Sequence, residues 1–354
     1  MPKQLLFLIH GIGVHDTDWA EEVDGPIKTL QKVSQQYASF QAKPLEDRIE
    51  FVPIHYDEIF QEIASQCQHD TEQIQQLDPT GTFSKSLSWM ASAGEKEKNF
   101  LWSHVADIAL YRFCATYRER VRSHVIAEIA DRIEKAFAAD GNATASVLAH
   151  SMGTAVAHDA LHLLGTVRWG DRTNPFNPAH WRFNQIFMIA NTSRFLQTED
   201  REMKGAYESI VRPGPVEDPT SYCAAYWNVR HEADPVPFPR AFDPVGWKSY
   251  GAIPVRHYYE KNIHNLSHYL LNPAVHIPIL RKLTTPKAVT PEEEIAAVNP
   301  NRFPQFGGEL AFIQKAKLMA LQLEEIKRAL GDNPEPSNWI RSLVQFYQVV
   351  EAAR

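Results

Sequence analysis

The chain carries five apolar residues in a row, Leu5-Leu6-Phe7-Leu8-Ile9, that stop at His10-Gly11-Ile12-Gly13. A short run without polar alternation suits a strand buried on both faces of a parallel sheet and ended by a glycine loop. Residues 18–41 then place apolar groups at helical spacing (Val23, Ile27, Leu30, Val33, Tyr37, Phe40), and Ile49 to Tyr56 reads as a second strand. Strand, helix and strand in about fifty residues make a βαβ unit with a right-handed crossover.

The rhythm breaks over 57–140, which the pattern reads as long helices (57–77 and 99–138) around a Gly- and Ser-bearing linker at 79–96. A helical insertion leaving the sheet edge is the expectation. Alternation resumes with a strand over Ser146 to His150 and a helix from Met152 to about Leu164. Further strands are expected at Gln185–Ala190, Tyr222–Val229 and Ile253–Tyr259. Pro273–Leu283 reads as a helix, with Asn272 placed to cap it and Pro273 in the first turn, where its missing N–H costs nothing. Beyond Thr285 a Pro-containing linker (285–304) precedes two expected helices, 308–330 and 336–353, the first stopped by Gly331. The expected architecture is therefore α/β: a mostly parallel sheet flanked by helices over 1–284, with the 57–140 insertion, and a helical extension over 285–354.

Composition narrows the function. At 354 residues, 44% hydrophobic and 22% charged, the chain is an ordinary globular one. Its net charge of −7 has no basic stripe, which excludes a dedicated nucleic-acid binder. Cys67, Cys114 and Cys223 are scattered and not spaced like metal ligands, so they read as idle thiols in a reducing compartment. The Leu5–Ile9 run is shorter than a secretory core of roughly 7–15 residues or a membrane span of ~20. A cytoplasmic protein is expected, with export independent of a signal peptide left open.

The chemistry gathers at Ala149-His150-Ser151-Met152-Gly153. Strand residues run straight into a serine, and a small-residue helix starts at once. A serine at such a turn takes a strained backbone costing on the order of 1–3 kcal/mol. The turn closes only when the residues two before and two after are small, as Ala149 and Gly153 are. It lifts the hydroxyl above the sheet and points the N–H groups at the following helix's start toward a reacting carbonyl.

This segment resembles the G-x-S-x-G nucleophile elbow of the α/β-hydrolase superfamily, with Ala149 in place of the first glycine. The resemblance covers about residues 4–284 and implies a compact lipase- or esterase-like serine hydrolase of α/β-hydrolase fold, with a lid or cap. The two strands that precede the His-Gly loop in larger members are expected to be missing. Ser151 is then the nucleophile, and Met152 offers the first oxyanion donor. His10-Gly11-Ile12-Gly13 is similar to the HG loop of lipases, which places the second donor at Ile12 or Gly13 and puts His10, Gly11 and His150 beside the substrate. The family's chain order of serine, acid, histidine makes Asp234, in Asp234-Pro235-Val236-Pro237, the acid, with Glu232 as fallback. Two histidines after it compete as base. His264 is favoured, and His268, in a segment that reads as a turn, is the alternative. His257, inside the expected last strand, reads as structural.

The expected function is hydrolysis of a small-molecule or lipid ester through an acyl-enzyme, with no metal and no organic cofactor. His10, His15 and Asp16 lack a known zinc spacing. Phe60, Ile63, Phe83, Leu87, Trp89, Met90, Phe100, Leu101 and Trp102 suit either a lid that touches lipid surfaces transiently or a cap packed for stability. Thioesterase or acyltransferase use of the same groups, and a catalytically unused scaffold that docks partners through its C-terminal helices, are the other readings.

Overall fold

A computed structural model of the chain describes residues 3–11, 15–62, 108, 111–112, 114–166, 174–196, 207–215, 218–234, 236–237, 241–259 and 263–299. Ile12 and Gly13 of the expected oxyanion loop, Cys67, the expected cap segment from Ile63 to Trp102, and the helices expected over 308–330 and 336–353 lie outside these.

The described residues form six strands, β1 (Gln4–Ile9), β2 (Ile49–Ile54), β3 (Ala145–His150), β4 (Phe183–Ile189), β5 (Cys223–His231) and β6 (Tyr250–Val255). All pair in parallel in one sheet of order β2-β1-β3-β4-β5-β6. Helices that lie wholly within the described residues are α1 (Pro26–Ser34), α2 (Ala38–Ala42), α3 (Ala115–Ala139), α4 (Met152–Thr166), α5 (Ser193–Leu196), α6 (Leu266–Leu271), α7 (Pro273–Leu283) and α8 (Pro291–Ala297). None of the helices among the described residues is long and apolar enough to cross a membrane.

The unbroken apolar run of β1 has a simple cause. Successive side chains point to opposite faces of a strand, and here both faces are covered. Leu5, Phe7 and Ile9 enter a core with Val121, Val125 and Ile129 of α3 and Val156 and Leu161 of α4. Leu6 and Leu8 enter another with Ile27 and Leu30 of α1, Leu270 of α6 and Ile277 of α7. Each such side chain contributes about 1.5–3 kcal/mol on full burial.

Several elements depart from the sequence pattern, each for a local reason. Pro26 sets the start of α1 at its first turn, so 17–24 are turns and Val23 is 90% exposed. The apolar period survives the break after α1 because Tyr37 and Phe40 are still buried. The expected 99–138 helix does not run through Cys114, which is extended (φ −96°, ψ 100°), and α3 begins after it. The buried stripe Val121, Val125, Ile129 and Ile133 packs α3 into the core beneath the sheet, so the last part of the expected insertion is a crossover helix. β6 starts three residues early because Gly251 lies under the Trp227 ring, where a Cβ would come within 2.4 Å. It ends at Val255, which puts His257 beyond the strand. The 285–304 linker contains α8, whose Thr290 and Glu293 form a reciprocal capping box, and Ala288, Val289 and Ala297 are buried in the α1/α7 core. Asn272 caps α7 as expected, its side chain accepting from the N–H of Ala274.

The topology fixes where a ligand can sit. β2 lies on one side of β1, and β3 to β6 continue on the other. The loops after β1 and β3 therefore diverge, opening a crevice at the carboxyl ends of the strands. Ile9 pairs with Ala149, so the two strands end level. His10-Gly11 and His150-Ser151 emerge side by side.

Candidate active site

Ser151 has φ +55°, in the left-handed region that a non-glycine residue rarely takes. Its carbonyl oxygen pays back the strain by accepting three hydrogen bonds, from the Thr154 N–H (2.9 Å), Thr154 Oγ1 (2.6 Å) and Thr192 Oγ1 (2.9 Å). Its own N–H donates to the Ile189 carbonyl at 2.9 Å. The space around the bend is full. A Cβ on Gly153 would stand 2.0 Å from the His10 carbonyl oxygen, and one on Gly11 would stand 2.8 Å from Ser151 Cβ. Gly153 is thus demanded by the end of β1 as well as by the turn.

His264, in the loop before α6, joins the serine to an acid. Its Nε2 is 2.9 Å from Ser151 Oγ, and its Nδ1 is 2.8 Å from Asp234 Oδ2. Burial alone would raise the Asp234 carboxyl. The facing His264 and hydrogen bonds from His264, the Tyr269 hydroxyl and the Val236 N–H instead hold it below the usual carboxylate range. A carboxylate only accepts, so Nδ1 carries the imidazole proton and Nε2 accepts from the serine hydroxyl. Tyr269 donates to Asp234 Oδ2 at 2.6 Å and accepts from the His231 N–H at 3.2 Å, tying the acid to the end of β5.

Of the competing residues, His268 belongs to α6, which replaces the expected turn, and is fully buried. It accepts from the Tyr259 N–H at 3.3 Å and packs near His231 and Tyr269. One helical position apart, Tyr269 reaches Asp234 while His268 does not contact the serine. Glu232 is paired with Arg256 at an exposed position. His150 does line the pocket, and it has a further tie: its Nε2 donates to the His264 carbonyl at 2.8 Å. Burial, aided by the charge of His264, lowers its pKa to about 3, so it is a neutral strut.

The crevice holds a pocket of about 290 Å³ whose lining includes His10, Gly11, Trp19, His150, Ser151 and His264, with Glu22 and Asp24 at its acidic side. Ser151 is only 2% exposed and so sits at the pocket floor. As the first residue of α4, Met152 has no intrahelical acceptor for its N–H. His10, His15 and Asp57 gather on the pocket's flank with their donor atoms within 4.8 Å of one another, whereas Asp16 clusters with Asp18 and Glu22 in solvent. Burial pushes the Asp57 carboxyl up to about 7, even with the His15 N–H donating to it. Thr154, Thr192, Tyr269 and Asp57 were not legible as site residues, since each acts through a contact between distant elements. No protein-family model matches this chain, and no curated protein matches its sequence.

Proposed function

We propose that the chain is a serine hydrolase of α/β-hydrolase type that cleaves carboxylic esters by two-step acyl transfer. The carrying observation is the imidazole of His264, within hydrogen-bond reach of Ser151 Oγ at one nitrogen and of Asp234 at the other. Ser151 Oγ attacks the ester carbonyl carbon as its proton passes to His264 Nε2. The negative charge that develops on the carbonyl oxygen faces the Met152 N–H at the positive end of α4. Collapse breaks the acyl–oxygen bond, and the departing alkoxide takes the proton from His264. Water then loses a proton to His264 and attacks the acyl-serine, releasing the acid and restoring Ser151. Asp234 keeps the imidazole in the required tautomer and balances its transient charge.

The strained backbone of Ser151 supports this reading over a plain packing turn, because the strain falls at the residue whose hydroxyl meets His264 Nε2. The test is hydrolysis of short p-nitrophenyl esters together with labelling by a fluorophosphonate. Wild type should hydrolyse and label, and Ser151→Ala should lose at least about 10⁴-fold in kcat and all labelling. Equal rates for the two proteins would sink the proposal.

A further inference from the structure

We propose that His10, His15 and Asp57 form a binding site for a divalent transition-metal ion of the zinc type, built into the flank of the Ser151 pocket. The site holds whether or not Ser151 is a nucleophile.

His10 carries the argument. Its Nδ1 lies 2.9 Å from the Gly11 carbonyl oxygen, which can only accept, so the ring proton is on Nδ1 and Nε2 presents a lone pair. That nitrogen is buried and has no hydrogen-bond partner among the described residues, and the residue is 1% exposed. A buried acceptor without a donor is costly. The ring's orientation is nevertheless set without Nε2, by stacking on Tyr56 (centroids 4.1 Å) and by the edge of Trp19 (5.2 Å). A backbone carbonyl on Nδ1 and a free lone pair on Nε2 is the arrangement in which histidine serves as a metal ligand.

Facing that lone pair is an oxygen of Asp57, which, when the carboxyl is ionised, is an acceptor as well. Asp57 Oδ1 stands 3.7 Å from His10 Nε2, too far for a hydrogen bond. Two donors each about 2.1 Å from a tetrahedral ion lie about 3.4 Å apart, so this separation is close to that of two ligands of one metal. The other carboxylate oxygen, Oδ2, accepts the His15 N–H at 2.5 Å, which fixes the carboxylate and draws His15 to it. The His15 ring lies 4.5 Å from that of His10. Two imidazoles and one carboxylate suit zinc and its neighbours in the first row, whereas magnesium and calcium prefer oxygen donors throughout. Three protein ligands leave a fourth position for water or a ligand in the pocket, which both histidines line. The exposed Asp16, Asp18 and Glu22 group offers no buried donor of this kind.

The experiment uses the full chain, stripped with a chelator, desalted and titrated with ZnCl₂ by calorimetry, with melting followed in parallel. One zinc ion per chain and a rise in Tm of several degrees are expected. Asp57→Asn and His15→Ala should each weaken binding by more than about 100-fold, and His264→Ala should bind as wild type does. Circular dichroism reports whether Asp57→Asn is folded, and the half-buried His15 gives the second variant. Absence of binding, binding untouched by the foldable variants, binding lost in His264→Ala, or equal binding of Mg²⁺ would each overturn the site.

Discussion

The Nε2–H of His150 donates to the backbone carbonyl of His264 at 2.8 Å. The residue just before the proposed nucleophile therefore holds the main chain of the proposed base, and the two rings lie 4.9 Å apart. His264 comes from a loop 113 residues downstream of Ser151, and such a loop needs an anchor if its ring is to stay in reach. We expect His150→Ala to lower kcat by about 10- to 100-fold, with KM changed much less, because a small displacement of the base is costly and substrate binding is not. His150→Gln, which retains an N–H donor, should recover part of the rate. Steady-state kinetics on a short ester measures both.

The two histidines of the 264–268 segment should separate cleanly. His264→Ala removes the group between Ser151 and Asp234, and kcat should fall by at least about 10³-fold. His268→Ala empties a buried position beside His231 and Tyr269, so it should lower Tm while leaving most of the activity of the folded protein. The reverse pattern, measured by ester hydrolysis beside thermal melts, would assign the base to His268.

Asp234 gives the fold a pH signature. Its carboxyl is held below the usual carboxylate range in the folded protein, against about 3.9 for the unfolded chain. The folded state then binds fewer protons than the unfolded state in the acidic range, and stability falls as pH falls. The contribution is fully present above about pH 5 and is lost as acidification passes through the folded value. Asp234→Asn lacks it. The Tm gap between wild type and Asp234→Asn should be largest near neutrality and shrink toward pH 3. A gap independent of pH would show that the carboxylate's charge is not what the site stabilises. At neutral pH the same variant should lose about 10⁴-fold in kcat, because Asn permits the wrong imidazole tautomer.

The parts of this molecule visible in its sequence are those set by neighbours along the chain. The both-face apolar run of β1, the small residues around Ser151 and the Asn272-Pro273 start of α7 are local patterns, and each appears where it was expected. The strand expected at Ile253–Tyr259 lies at Tyr250–Val255 instead, with Gly251 packed under Trp227, a contact between strands that the local pattern does not carry. α8 falls in the Pro-containing stretch 285–304, which reads as a linker although Thr290 and Glu293 carry a capping signature. The α6 helix, which the segment around His268 does not show locally, turns His268 inward and Tyr269 toward Asp234. Asp57 lay hidden for the same reason: it follows β2, and only the parallel pairing of β1 with β2, Ile9 against Ile54, brings it to His10.

That same convergence of strand ends makes Gly153 the most sensitive position in the site. An added Cβ would lie 2.0 Å from the His10 carbonyl oxygen and 2.7 Å from that of Ile9, backbone atoms of the last residue of β1 and the one that follows it, where the strand is paired on each side. Neither can yield as a side chain tip would, so either α4 lifts from the sheet or the Ser151 bend opens. Overpacking of a side chain into a core costs typically 1–3 kcal/mol, and a collision with fixed backbone belongs at or above the upper end. Gly153→Ala should therefore be destabilised by about 3 kcal/mol or more, read by urea unfolding, and any folded fraction should have lost its reaction with a fluorophosphonate. Gly141→Ala is the matched control, since its Cβ would meet nothing within 4 Å. It should melt and react as wild type does, and a Gly153→Ala protein that behaved the same way would show that the bend at Ser151 does not depend on close contact with the end of β1.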